Sequence, residues 1–97
     1  MQKQFILLLC FMASTVSFSQ ELKGKITEAT TEQPIIGANI QWLDTQIGTT
    51  SDENGNFSIS YKPEFTKLVI SYVGFTTDTI SVNSSNFINH ALSQNND

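Results

Sequence analysis

The amino-acid sequence predicts an all-β fold, a β-sandwich of about seven short strands in two sheets with antiparallel or mixed pairing. Three observations carry the prediction. No segment sustains a helical hydrophobic period beyond a turn. Short runs of alternating apolar and polar residues recur between turn signals at the spacing of a sandwich. Strand-forming residues also flank Asn54-Gly55, a dipeptide that suits a two-residue type I′ hairpin turn because both of its residues accept positive φ.

The elements follow in chain order. Leu22, Gly24 and Ile26 alternate with Lys23, Lys25 and Thr27, giving a first strand with one dry and one wet face. Glu28 to Gln33 is a polar loop, Pro34 fixes its own φ, and Gly37 marks a tight bend. Ala38, Ile40 and Trp42 then share the core face of a second strand, with Asn39, Gln41 and Leu43 opposite. Asp44 to Gln46 form a short turn, Ile47 to Ser51 a third strand and Asp52 to Asn56 a hairpin tip, so that the segment from Gly48 to Phe57 reads as one hairpin. Phe57, Ile59 and Tyr61 lie on one face of a fourth strand, which Lys62-Pro63-Glu64 breaks.

Lys67 to Val73 is rich in β-branched and aromatic residues on both faces, and this fifth strand is expected to be central. Gly74 permits a turn. A sixth strand runs from Phe75 to Val82 with Ile80 and Val82 inward, Asn83 to Asn86 is a polar turn, and Phe87 to Leu92 is a weaker seventh strand. The polar tail 93–97 is expected to fray.

Ahead of the strands stand one cation, Lys3, an apolar run from Phe5 to Met12 and small residues from Ala13 to Ser19, the pattern of a secretory signal peptide. Ser17 and Ser19 suit the positions three and one residues before cleavage, which places the mature start at Gln20. The run is too short to span a bilayer, for which roughly 18–20 apolar residues are needed. Cys10 does not make a lipid anchor, because Leu9 stands where a small residue is required. Domain organisation is therefore a leader at 1–19, one domain at 20–92 and a tail at 93–97.

Cleavage removes the single cysteine, so the exported chain has neither disulfide nor thiolate metal site to stabilise it. Packing alone must hold a domain whose size buries only about 60% of its unfolded surface. Four lysines then face nine carboxylates with no arginine, and no basic stripe exists that could displace counterions from nucleic acid.

Candidate chemistry is sparse. Asp52, Asn54 and Asn56 offer oxygens in the manner of a calcium loop, but no carboxylate stands in the place of the bidentate ligand and the glycine is displaced. One histidine, His90, without cysteine cannot build a zinc site, and it is read as a partly exposed strand residue. A serine hydrolase would have to rely on that same imidazole as its base. Trp42, Tyr61, Tyr72 and Phe75 could stack on a sugar, although alternation sends the first three toward the core. No catalytic, cofactor-binding or metal-binding residue is assigned.

Four segments in order, Gly24-Lys-Ile26, Gln33-Pro-Ile-Ile-Gly-Ala-Asn39, Gly48-Thr-Thr-Ser-Asp-Glu-Asn-Gly-Asn-Phe57 and Leu68-Val-Ile-Ser-Tyr-Val-Gly-Phe75, resemble the carboxypeptidase regulatory-like domain, a transthyretin-like β-sandwich. The resemblance runs from about Leu22 to Leu92. Its motif positions here are Pro34, Gly37, Gly48, Asp52, Asn54, Gly55, Phe57, Ser71 and Gly74. It implies a non-enzymatic exported module of the kind that opens the TonB-dependent outer-membrane receptors of Bacteroidota, which import glycans and other nutrients. It implies no cofactor, and a location in the periplasm, at the periplasmic face of the outer membrane, or outside the cell. The implied partner is an envelope protein, or the plug and barrel of the same receptor, and a glycan is a further candidate ligand. Such receptors continue into a TonB box, plug and barrel, whereas this sequence stops at Asp97, and a free-standing module and the front of a receptor both fit. The alternative function is a secreted carbohydrate-binding module using exposed aromatics. The several histidines and the arginine of the hydroxyisourate hydrolases that share this sandwich are missing, as is any His-x-x-Glu pair of a peptidase.

Overall fold

The computed structural model describes residues 20–84 and 86–95, so the expected leader at 1–19, Cys10 included, lies outside the described residues. Seven strands follow one another: β1 (Glu21–Glu28), β2 (Asn39–Trp42), β3 (Gly48–Thr50), β4 (Asn56–Ser60), β5 (Lys67–Ser71), β6 (Asp78–Ser81) and β7 (Ile88–Leu92). They form one sheet ordered β4-β1-β7 and another ordered β3-β2-β5-β6. β1 runs antiparallel to β4 and parallel to β7, which makes the first sheet mixed, and every pair in the second is antiparallel.

Alternation decides the core. Leu22 and Ile26 of β1, Phe57 and Ile59 of β4 and Leu92 of β7 point from the first sheet toward Ile40 and Trp42 of β2 and Leu68 and Ile70 of β5. Each of these side chains is buried, and each contributes roughly 1.5–3 kcal/mol by leaving water. Val82 is buried just past β6, and Ile80 packs half-buried against the same cluster. The expected central place of the fifth strand holds, since β5 has a neighbour on each side.

Five expectations change. The segment from Gly48 to Phe57 is not a two-stranded hairpin, because β3 pairs with β2 whereas β4 pairs with β1 in the opposite sheet. Its tip is not a type I′ turn either. Gly55 has φ of 79° while Asn54 is not in the left-handed region, and Gly55 N–H donates to Asp52 O at 2.9 Å as Asp52 N–H donates to Asn56 O at 2.8 Å. That is a three-residue loop closed by a left-handed glycine, a geometry that needs only one positive φ.

The sixth strand is shorter than expected, starting at Asp78, because Phe75 leaves its neighbours to bridge Gln94. The tail is correspondingly paired as far as Asn95: Thr76 N–H donates to Ser93 O and Asn95 N–H to Gly74 O, both at 2.9 Å. The seventh strand is not weak. It lies along β1 over five residues and carries the fully buried Leu92.

Candidate interaction site

The motif residues collect at one end of the sandwich. Pro34 bridges Thr27, Ser71 pairs with Asn39 at the end of β5, and Phe57 lies one residue inside β4. Gly37 N–H donates to Ser51 O at 2.9 Å, and Gly74 turns the chain beside the Phe75 N–H to Tyr72 O bond. Asp52, Asn54 and Gly55 make the corner between the sheets. Only Gly48 stands apart, at the other end of β3.

Asp52 organises that corner. Its Oδ1 accepts from the N–H groups of Asn54 and Asn56, each at 2.9 Å, so the oxygen that could have served a cation is already engaged with backbone donors. Gly55 must lack a side chain as well as tolerate its φ, because a Cβ there would lie 2.5 Å from Ile26 O and 3.0 Å from Pro34 Cβ. The corner, the loop before β2 and the end of β1 thus share one contact.

Three structural residues carry little signal in the sequence. Ser51 is buried, its Oγ donating to Ile35 O at 2.6 Å and accepting from Ala38 N–H at 2.9 Å, which fastens the loop before β2 to the end of β3. In the sequence it is a lone serine closing a run of threonines, and only its inward parity sets it apart. Gly24 lies beneath the ring of Phe57, where a Cβ would collide with that ring and with Ile88 O. Trp42 is fully buried, and its Nε1–H donates across the sandwich to Ser60 O at 2.7 Å.

The aromatics that could have stacked on a sugar serve the core. Trp42 sits 6.0 Å from Tyr61 and 5.4 Å from Phe65 between ring centroids, and Tyr72 lies 5.7 Å from Phe75. Tyr61, Tyr72 and Phe75 are half-buried against the main cluster. His90 is 20% exposed as a side chain, with its Nε2 2.7 Å from Asp78 Oδ2. Since β7 and β6 belong to different sheets, this contact joins them.

The four sheet edges are unequal. On the β6–β7 side the Asp78–His90 pair and the 74–76 to 93–95 ladder hold the sheets together. On the opposite side the bonds from Trp42 N–H to Ile47 O and from Ser51 N–H to Ala38 O fix the alternation of β3. Thr49 therefore faces β2, while Gly48 and Thr50 turn their N–H and C=O groups outward. Along β4, Asn56 N–H and C=O are both taken by Asp52, and Ser60 O by Trp42, leaving Ser58 outward. A groove of about 390 Å³ runs beside these edges, lined by Lys23, Thr49, Thr50, Asp52, Asn56, Phe57 and Ser58. A smaller one of about 220 Å³ lies at the other end, against Gln41, Trp42, Leu43, Asp44 and Val69.

Among the described residues no group of three or more His, Cys, Asp or Glu side chains is placed to hold a metal ion, and no helix is long and apolar enough to cross a membrane. Two β-sheets, satisfied buried polar groups and partly unpaired edges define a β-sandwich module. The chain belongs to the CarboxypepD_reg-like domain family, whose model matches residues 22–97. It is 36% identical over 67 residues to the TonB-dependent receptor SusC of Bacteroides thetaiotaomicron, covering 68% of this chain and 7% of that protein. It is 31% identical over 91 residues to the TonB-dependent receptor P39 of Formosa agariphila, covering 91% of this chain and 9% of that protein. The chain thus spans less than a tenth of the length of these curated relatives. Its fold is also similar to a chain of the type II cohesin-X-dockerin complex from Acetivibrio cellulolyticus, at 22% identity with a TM-score of 0.58, covering 73% of this chain and 52% of that one.

Proposed function

We propose that this chain is a non-enzymatic, exported β-sandwich module that works as the periplasmic front domain of a TonB-dependent outer-membrane receptor for nutrients, glycans among them. The observation that carries the reading is the similarity to such receptors over 91% of this chain but only 9% of the receptor's length, in a chain that also carries a leader-like segment at 1–19. A module of this kind acts by contact. Its polar groups are engaged in corners and ladders, and its edges carry backbone donors and acceptors that suit another polypeptide.

The test is the intact mass of the endogenous polypeptide in separated periplasmic, outer-membrane and medium fractions, detected with an antibody against residues 20–92. The expected result is an outer-membrane band far larger than this domain, or a small band that crosslinks to an outer-membrane receptor. A small band confined to the medium, with no envelope crosslink, would overturn the proposal.

A further inference from the structure

The geometry points to the outer edge of β3 as a docking site for one extended peptide segment, which adds to the β3-β2-β5-β6 sheet as a fifth strand. This rests on the reading of the chain as a contact module and names the surface and the chemistry of the partner. Gly48 and Thr50 present two N–H donors and two C=O acceptors outward, and none of the four is bonded to another described residue. Backbone groups in that alternation recognise an extended chain, because only a strand repeats its own donors and acceptors at the same spacing.

The edges of β4 and β6 are partly guarded and this one is not. Proteins ordinarily protect an edge with charge, proline, a bulge or a covering segment. β6 carries Asp78 and is latched to β7 through His90. β4 has both outward groups of Asn56 and the carbonyl of Ser60 engaged, which leaves only a short open stretch at Ser58. From Gln46 to Ser51, by contrast, there is no charge, no proline and no bulge, and β-branched residues keep the strand extended.

The groove beside the edge argues for a single strand rather than a second copy of the sandwich. Its walls come from both sheets, with Thr49 and Thr50 on one side and Asn56 and Ser58 on the other. A strand paired to β3 would place alternate side chains there, so hydrogen bonds supply affinity and the groove selects the side chains. Lys23 and Asp52 line it together, which favours an uncharged segment over a strongly acidic or basic one.

The test uses the ¹⁵N-labelled chain and three acetylated, amidated heptapeptides of alternating Thr/Val, Thr/Phe and Ser/Ile. At least one peptide is expected to shift the amides of Gly48 and Thr50 and slow their hydrogen exchange by about tenfold or more, with Thr49 unchanged because it already bonds to β2. Thr50→Pro removes an outward donor without touching the β2 ladder, and is expected to keep the native spectrum while weakening the peptide by about tenfold or more. Thr79→Pro, which removes an outward donor from the distant edge of β6 without touching the β5 ladder, is the control and should leave binding intact.

No perturbation by any peptide at about 1 mM, a concentration that half-fills a site of millimolar Kd, overturns the inference. So does perturbation centred on β4 or on β6 and β7. Peptide-independent shifts at Gly48 and Thr50 that grow with protein concentration would overturn it too, by assigning the edge to a second copy. The receptor reading fails separately: peptide binding at β3 by a chain found only as a small band in the medium, with no envelope crosslink, would leave the edge intact and remove the receptor, and the reverse result would do the opposite.

Discussion

At Asp52 one carboxylate oxygen holds two backbone N–H groups while the same residue's main chain closes the loop on both sides. This is why the corner forms without two left-handed residues: the side chain supplies what a type I′ backbone would otherwise have to provide. Asp52→Ala is expected to cost about 1 kcal/mol, since the bonds are charge-assisted but exposed. Asp52→Asn, which retains an acceptor, should lose less, and urea midpoints at constant slope measure both. Gly24 is less forgiving. A methyl group there would strike Ile88 O, which cannot yield without shifting β7, and the far edge of the buried Phe57 ring, which would have to turn within the core. Gly24→Ala is expected to destabilise by about 3 kcal/mol, the upper range of overpacking, and a drop below about 1 kcal/mol would show that β7 is free to move. Residues of this kind were only partly legible. Sequence spacing marks Asp52 and Gly55 as turn residues, but nothing local reveals that an aromatic ring lies over Gly24 or that Ser51 has two buried backbone partners.

At the scale of elements, alternation told which face of each strand is dry, and the observed burial of Leu22, Ile40, Trp42, Ile59, Leu68 and Ile70 follows it. Alternation carries no information on which strand lies next door. A chain that turns at Asp52 to Asn56 can close a hairpin or pass from one sheet to the other with the same dipeptide at its tip, and only the partners of β3 and β4 decide. The parallel seat of β7 beside β1 escaped for the same reason: its neighbour is more than fifty residues away in the chain. The edge of β3, which carries the interaction site, became visible only once the pairing was known. What joins the two sheets is likewise non-local, above all the Trp42 indole on Ser60 O. Trp42→Phe keeps most of the apolar contact and deletes that donor, leaving an acceptor on β4 unpaired. The expected loss is about 2 kcal/mol, from a lost hydrogen bond and a partly filled cavity. A loss equal to that of Tyr61→Phe would show the indole N–H to be unimportant.

The whole molecule is a sandwich fastened differently on its two sides. One side is joined by the chain itself through the corner at Asp52. The other is held by the Asp78–His90 contact and by the ladder between 74–76 and 93–95, with no covalent link and no cysteine in the described domain. Opening should therefore begin at the β6–β7 side, because a partly exposed side-chain hydrogen bond and two peripheral backbone ones are each worth only about 1 kcal/mol. Asn95→Pro tests this without depending on where the polypeptide ends. It removes the donor to Gly74 O and leaves every core side chain in place. The expected result is a loss of about 1 kcal/mol, with amide exchange at Thr76 accelerated while the β1–β4 ladder at Leu22 and Ile59 keeps its protection. Equal acceleration at both places would mean that the two sides open as one cooperative unit. Protection lost only near Thr76 would mean that the segment following β7 controls how firmly the sandwich is closed, so that whatever pulls on the chain beyond Asn95 would be felt first at β6 and last at β3.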